Sequence, residues 1–313
     1  MELRHLRYFV MVAQERHFTR AAARLHIQQP PLSQQIRALE QELGFDLFIR
    51  HPKGVDLTAG GQVFLEQAVD ILARVDQGAQ KAARAANGIE GTLGIAFTSS
   101  AAAHPLIPRI IRAYRERYPA VAVSLLEGSA GEITAQSIDG HIDVGILRAP
   151  VARHESLTFH RLVNEQMLLT LPVGHPLLEH APQAADGLPV IELKALAGEA
   201  FILVRRPGAP GMYANLLRAC RNAGFEPRVA FEVERMLTNV SLVAAGEGVS
   251  MVPGSMKDVL RDSVVYCHLS GAHPRLLAPV TLVRRAFNPM PPLDNFIALA
   301  RRLSGEYRRQ SSA

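Results

Sequence analysis

Gln29, Ser33, Gln34 and Arg37 are separated by one, three and four residues, a spacing that gathers them on one side of an α-helix. Side-chain amides pair bidentately with adenine, guanidinium groups with guanine or phosphate, and a hydroxyl with either. Such a face has the chemistry needed to read double-stranded DNA. Gln29-Pro30-Pro31 opens the helix, and the prolines fit there because first-turn amides have no partner inside a helix. Arg50 and Lys53 follow on a short basic hairpin and are suited to phosphate or minor-groove contact. The plainer alternative for all these groups is a solvated surface.

A second set of polar residues falls in the loops after predicted strands: Thr98-Ser99-Ser100, Ser129, Arg148, and Arg205-Arg206. Hydroxyls and amides at helix starts, joined by guanidinium groups, suit a small carboxylate or other anion. Simple helix capping is the alternative for Ser99 and Ser129, and solvated surface for Arg205 and Arg206.

Nothing in the chain spells a catalytic site. No GxSxG elbow, phosphate-binding loop or HExxH occurs, and the twelve histidines show no ligand spacing. His154, Glu155 and His160 come closest to a metal cluster but are scattered along a stretch that reads as a loop. Cys220 and Cys267 are too few for a disulfide framework and read as small buried hydrophobes. No metal or cofactor is expected. The start, MELRHLRYFV, lacks an export pattern, and no apolar run is long enough to span a membrane, so the expected location is the cytoplasm.

The DNA-reading residues need a scaffold, and the surrounding sequence supplies one. Leu3, Leu6, Phe9, Val10 and Ala13 recur at helical spacing. A short helix from Arg20 to Leu25, capped by Thr19, precedes the turn His26-Ile27-Gln28. In the third helix Leu32, Ile36, Leu39 and Leu43 form a buried stripe opposite the polar face, and Gly44 ends it. Phe48–Arg50 and Val55–Leu57 flank the turn His51-Pro52-Lys53-Gly54, completing a winged helix-turn-helix over residues 1–58. Charge alone would not have pointed there. The chain carries +5 overall, but residues 1–58 hold eight Lys/Arg against six Asp/Glu.

Thr58 can cap a helix reaching Asn87, with Gly88 as its stop. Phe64, Ala68, Ile71 and Val75 step by four and three, as a two-stranded packing seam requires, so residues 59–88 read as a linker and dimerisation helix roughly 45 Å long. Beyond it the pattern becomes α/β. Strand 93–97, helix 105–118, strand 121–126, helix 130–139 and strand 142–147 imply a parallel sheet. A second series has strands near 166–172, 200–204, 229–233, 249–252 and 264–268, with helices near 211–223, 237–246 and 254–261. Strand 278–285 and helix 292–304 then return to the first unit. Two lobes result, about 89–162 with 270–313, and about 163–269.

The run AAARLHIQQPPLSQQIRALEQELGFDLFIRHPKGVDLTAGG resembles the N-terminal signature of LysR-type transcriptional regulators. The alanine pair, the QP dipeptide, the Ser-x-x-Ile-x-x-Leu-Glu register, Leu-Phe-x-Arg and Leu-Thr-x-x-Gly all match in order. Gln28 departs from the usual capping Ser, a change worth around 1 kcal/mol of helix stability, and Ile49 departs from a common Glu. The likeness extends, more loosely, over the whole chain. It implies a periplasmic-binding-protein-like effector domain, with effector held by position at Ser99, Ser100, Ser129 and Arg148 and the loop after strand 200–204 closing the site. It further implies a dimer of dimers, a homotetramer that binds an operator, acts as an activator and engages RNA polymerase. The overall look is nearest the branch that answers aromatic-catabolism acids such as benzoate or muconate. An exported solute-binding protein, an enzyme built on the two lobes, and a nucleoid-like binder with a vestigial sensor are the competing readings.

Overall fold

Apolar spacing turns the first part of the chain into three helices and a hairpin. The computed structural model describes residues 1–148, 154–204, 213–272 and 276–310. The chain divides into two compact units, Met1–Arg84 and Ala85–Ala313.

In the first unit α1 (Leu3–Glu15) buries Leu6, Phe9, Val12 and Ala13. Leu3 lies off that stripe and Val10 at its margin, so Val12 fills the place expected of Val10. Helix α2 is Phe18–Arg24, two residues earlier than expected at its start, because the cap is His17 and not Thr19: the His17 ring nitrogen accepts the Thr19 N–H at 3.2 Å. Helix α3 (Gln29–Leu43) has both prolines in its first turn, no side-chain cap from Gln28, and a left-handed Gly44 at its end. Strands β1 (Phe48–His51) and β2 (Gly54–Leu57) pair antiparallel, with His51 already opposite Gly54, so the turn tightens to Pro52-Lys53. Gly54 has φ +146°, and a Cβ there would stand 2.4 Å from the Arg16 carbonyl oxygen, which accepts the Val55 N–H at 3.1 Å. Only glycine permits that approach.

Helix α4 (Ala59–Ala86) opens on a Thr58 hydroxyl that accepts the Gly61 N–H at 2.8 Å. Its early turns close the core of the first unit. Phe64 stacks at 5.3 Å on Phe9, which meets Phe48 at 5.4 Å, and Ala68 is fully buried. The expected seam is thereby divided. Phe64 and Ala68 cover the apolar surface of their own chain, which α1 and the hairpin would otherwise leave open. Ile71 and Val75 remain exposed, as does every residue from Ala73 to Ala86.

The second unit begins with β3 (Glu90–Phe97), α5 (Ser99–Ala102), α6 (Leu106–Arg117), β4 (Ala120–Glu127), α7 (Ala130–Asp139) and β5 (Val144–Leu147). Strands β4, β3 and β5 are mutually parallel, as expected. The sheet as a whole is mixed. Strand β6 (Leu157–Pro172) runs sixteen residues and pairs antiparallel with β12 (Leu277–Arg285), which in turn pairs antiparallel with β5. The expected strand 166–172 is only the second half of β6, and the segment read as a loop around His160 is its first half. The first half of β6 sets His160 and Arg161 between Phe159 and the adjacent buried pair Leu162-Val163, and its ladder shifts register at Val280/Thr281, so no two-residue period shows.

Strand β6 continues into the second lobe, where it pairs antiparallel with β10 (Ser250–Pro253) and β11 (Val264–Ser270). Strand β11 pairs parallel with β7 (Val190–Glu192), and β8 (Ala200–Val204) parallel with β9 (Arg228–Val233). Helices α8 (Ala214–Asn222) and α9 (Met236–Ala244) pack on this lobe, and α10 (Pro291–Gln310) on the first. The helix expected over 254–261 is a single 3-10 turn, Gly254–Met256. Cys220 and Cys267 are fully buried, and desolvation pushes their thiols up to about 11 and about 12. Both stay protonated and inert.

Candidate nucleic-acid interface and effector loops

The polar face of α3 forms because Leu32, Ile36 and Leu39 are fully buried on the other side. Gln29 donates an amide hydrogen to Ser33 Oγ at 2.8 Å, so those two side chains are held together. Pro30, Pro31, Gln34 and Arg37 are exposed, and Gln34 and Arg37 have no protein partner among the described residues. The structure therefore brings Gln29, Pro30, Pro31, Ser33, Gln34 and Arg37 onto one accessible surface. Pro30 and Pro31 carry no N–H, so this helix start offers fewer amides to a phosphate than an ordinary one.

Arg50 and Lys53 lie on the hairpin, and they differ. Lys53 is at the exposed tip. The Arg50 guanidinium sits 5.0 Å over the Phe18 ring and 3.7 Å from the Glu40 carboxylate. Glu40 entered the sequence reading only as the last position of the Ser-x-x-Ile-x-x-Leu-Glu register, with no role given to it. It is buried, and its Oε1 accepts the N–H groups of Leu47 at 3.0 Å and Phe48 at 3.3 Å. A carboxylate four residues after Ile36, on an otherwise apolar stripe, was the available signal.

In the second unit the loops after three adjacent parallel strands converge. Thr98 Oγ1 caps α5 by accepting the Ala101 N–H at 3.3 Å, and Ser129 Oγ caps α7 by accepting the Glu132 N–H at 3.3 Å. The Glu132 carboxylate returns the favour to the Ser129 N–H at 2.7 Å. A hydroxyl that accepts can still donate, so Ser129 keeps an O–H for an anionic or carbonyl ligand, while Thr98 Oγ1 and Ser100 Oγ lie 3.4 Å apart and share one donor between them. Ser99 is half-buried and Ser100 buried.

Arg148 reaches this group but does not stand open to a ligand. It is buried, and its guanidinium pairs with Glu165, donates to the Ser100 carbonyl and meets Ser255 Oγ at 3.0 Å. Burial lowers its pKa and Glu165 holds it up. Glu165 also accepts from Ser255 Oγ at 2.9 Å and was a residue that sequence reasoning missed. Beside it opens a pocket of about 650 Å³, lined in part by His104, Asn164, Glu165, Ser255 and Lys257, which contains none of the expected effector residues. Burial and nearby Arg148 keep His104 below its ordinary titration range, with Glu165 opposing them. Arg205 and Arg206 lie outside the described residues.

His154, Glu155 and His160 do not form a metal site. His160 faces Arg301, whose guanidinium meets its Nδ1 at 2.7 Å, and among the described residues no three metal-ligating side chains gather. Among those residues, too, no helix is long and apolar enough to cross a membrane.

Comparison with known proteins agrees with this layout. Residues 3–62 match the bacterial regulatory helix-turn-helix protein, lysR family, and residues 86–304 match the LysR substrate binding domain. HTH-type transcriptional regulator AlsR of Bacillus subtilis (strain 168) is 36% identical over 96% of this chain and 95% of its own. The crystal structure of CbnR, a LysR family transcriptional regulator, superposes with a TM-score of 0.76 at 29% identity, covering 96% of this chain and all of that one. Full-length CbnR complexed with its target DNA gives 0.73 at 28% identity, over 97% and 100% of the two chains. The chain therefore belongs to the LysR family of transcriptional regulators, DNA-binding proteins, and not enzymes, whose second domain answers small effectors.

Proposed function

We propose that this regulator seats α3 in the major groove, where Gln29, Ser33, Gln34 and Arg37 meet base edges and phosphates. Pro30 and Pro31 shape the leading turn, and Arg50 and Lys53 reach the flanking backbone. The observation that supports this reading is the division of α3 into a fully buried apolar side and an accessible polar one. Two chains join through the exposed part of α4, at Ile71 and Val75, and present two readers to two half-sites. Pairs of these dimers form a homotetramer in the cytoplasm that activates an adjacent operon through RNA polymerase.

The effector is a small carboxylate, with aromatic acids or their ring-opened products the favoured class. The O–H groups of Ser99, Ser129 and one of the pair Thr98 and Ser100 donate to it, and Arg205 and Arg206 supply charge. Arg148 serves the site by fixing the Ser100 carbonyl. A duplex selected from a random library by the full chain supplies the test. Arg37→Ala and Ser33→Ala should each weaken that duplex relative to a scrambled one by about tenfold, the scale of one lost specific contact. Unchanged affinity in both would refute the assignment. Benzoate and muconate should alter the footprint of the wild-type chain and not that of Ser129→Ala; a footprint indifferent to a panel of small carboxylates overturns the anionic effector.

A further inference from the structure

Glu40 is a buried charge inside the DNA-reading unit, and its two carboxylate oxygens have different tasks. Oε1 takes the N–H groups of Leu47 and Phe48, at the very start of the hairpin, so it bolts the wing onto the last turns of α3. Oε2 faces the Arg50 guanidinium at 3.7 Å, longer than a hydrogen bond. That separation restrains the cation without occupying its N–H groups, which stay open to a phosphate. The same guanidinium lies over the Phe18 ring, 5.0 Å from its centroid, and Phe18 itself packs edge-on to Phe48, centroids 6.0 Å apart. Glu40 also follows Ser33 by seven residues and Arg37 by three, so its flank of the helix adjoins the polar face.

We infer that Glu40 is a positioning residue for DNA recognition: it fixes the wing to α3 and holds Arg50 at a set place beside the face that Ser33 and Arg37 occupy. This rests on α3 being the groove helix. An Arg50 restrained in that way meets a phosphate only when α3 is seated, and so favours the cognate duplex. A freely swinging arginine would grip any duplex, because phosphate contacts carry no sequence information by themselves.

The exchange Glu40→Gln separates the two tasks. A glutamine carbonyl can still accept from Leu47 and Phe48, while its NH2 opposes Arg50. The experiment uses the full chain, a duplex selected from a random library, and a scrambled duplex of equal composition. Glu40→Gln should lower the selected-to-scrambled affinity ratio about fivefold in the wild-type background and less than about twofold when Arg50→Ala is already present, as expected for coupled neighbours. Equal effects in both backgrounds, or none in either, would overturn the inference. Amide exchange at Leu47 and Phe48 should stay slow in Glu40→Gln; fast exchange would mean the loss came from a detached wing and would also overturn Arg50 as the intermediary. Should Glu40→Gln not fold, Arg50→Ala alone decides, since an unchanged ratio in that variant removes the residue through which Glu40 acts. Arg37→Ala is the control. If it too leaves the ratio untouched, the reading of α3 fails; if it lowers the ratio and Glu40→Gln does not, only the role of Glu40 fails.

Discussion

Removing Glu165 should unfold the second unit far more readily than removing Glu165 and Arg148 together. The Arg148 side chain is 5% exposed and that of Glu165 14%, so neither charge is rescued by bulk water. Glu165→Ala leaves a guanidinium whose remaining partners are one carbonyl and one hydroxyl, and whose Nε already has no partner. Breaking a buried pair on one side costs about 3–5 kcal/mol, a large part of a total stability of about 5–15 kcal/mol. Replacing both partners by apolar residues of similar volume is near neutral. Arg148→Met/Glu165→Leu should therefore recover most of the loss. Ser255, left by its partners, lines the adjoining pocket and can turn to water. Five of the six tyrosines, Tyr114, Tyr118, Tyr213, Tyr266 and Tyr307, lie in this unit and the chain has no tryptophan, so near-UV circular dichroism during urea unfolding follows it selectively. The midpoint for Glu165→Ala should fall by about 1 M or more. A fall below about 0.3 M, or a double variant as weak as the single one, would refute the reasoning.

Two further outcomes follow from particular contacts. Gly54→Ala places a Cβ 2.4 Å from the Arg16 carbonyl oxygen at φ +146°, so the turn end of the hairpin must shift; DNA affinity should drop at least about tenfold, with the second unit's urea midpoint unchanged, on the scale of strained backbone substitutions. Wild-type affinity in Gly54→Ala would show that the wing is dispensable. The His104 imidazole, held below its ordinary 6.5 by burial, with Glu165 opposing and Arg148 adding to the effect, takes up a proton on unfolding, so below about pH 6.5 the unfolded chain binds more protons and stability falls with falling pH. His104→Asn, which keeps an acceptor for the Leu106 N–H that His104 Nδ1 now takes at 3.2 Å, should flatten the slope of the tyrosine-monitored midpoint between pH 7.5 and 5.5; an unchanged slope would exclude His104 as its source.

The DNA-reading unit was legible because its signals are local. Leu32, Ile36, Leu39 and the polar residues between them declare both sides of α3 within a dozen positions, and Gly44 marks its end. What escaped was the partner of each charge. Glu40 is four residues from Ile36 on the same stripe, but its reason for being there lies in the Leu47 and Phe48 amides across a chain reversal. Arg148 stood out as a charge after a strand and so suggested an open anion site. Its true neighbour, Glu165, lies seventeen residues on, across a stretch whose broken period concealed the first half of β6. Phe64 and Ala68 had the spacing of an interchain seam, and spacing alone does not say whose apolar surface a helix covers. Periodicity reports that a face is buried, not against what.

That distinction bears on how the second unit could signal. Its two lobes are joined by β6 and β12, which are hydrogen-bonded to each other up to Glu165 opposite Ala278 and Gln166 opposite Leu277, where the lobes part. Across the mouth, Glu127 and Arg235 approach to 3.4 Å, but both side chains are about half exposed. Such a pair contributes little and is weakened further by salt, so it adds little to holding the lobes together. The Arg148–Glu165 network is different. It is buried, and it ties the Ser100 carbonyl of the first lobe to the parting point and to Ser255 of the second. A ligand held by the loop Thr98–Ser100, as proposed above, would act on a segment tied through Arg148 to the point where the lobes part. Shifting a two-state balance from 1:99 to 99:1 takes about 5.5 kcal/mol of differential affinity. Hydrogen bonds to a charged group contribute about 1.5–3 kcal/mol each. Two to four of them, made by a carboxylate in one arrangement and absent in the other, are sufficient, and an effector bound equally well by both would change nothing however tightly it held.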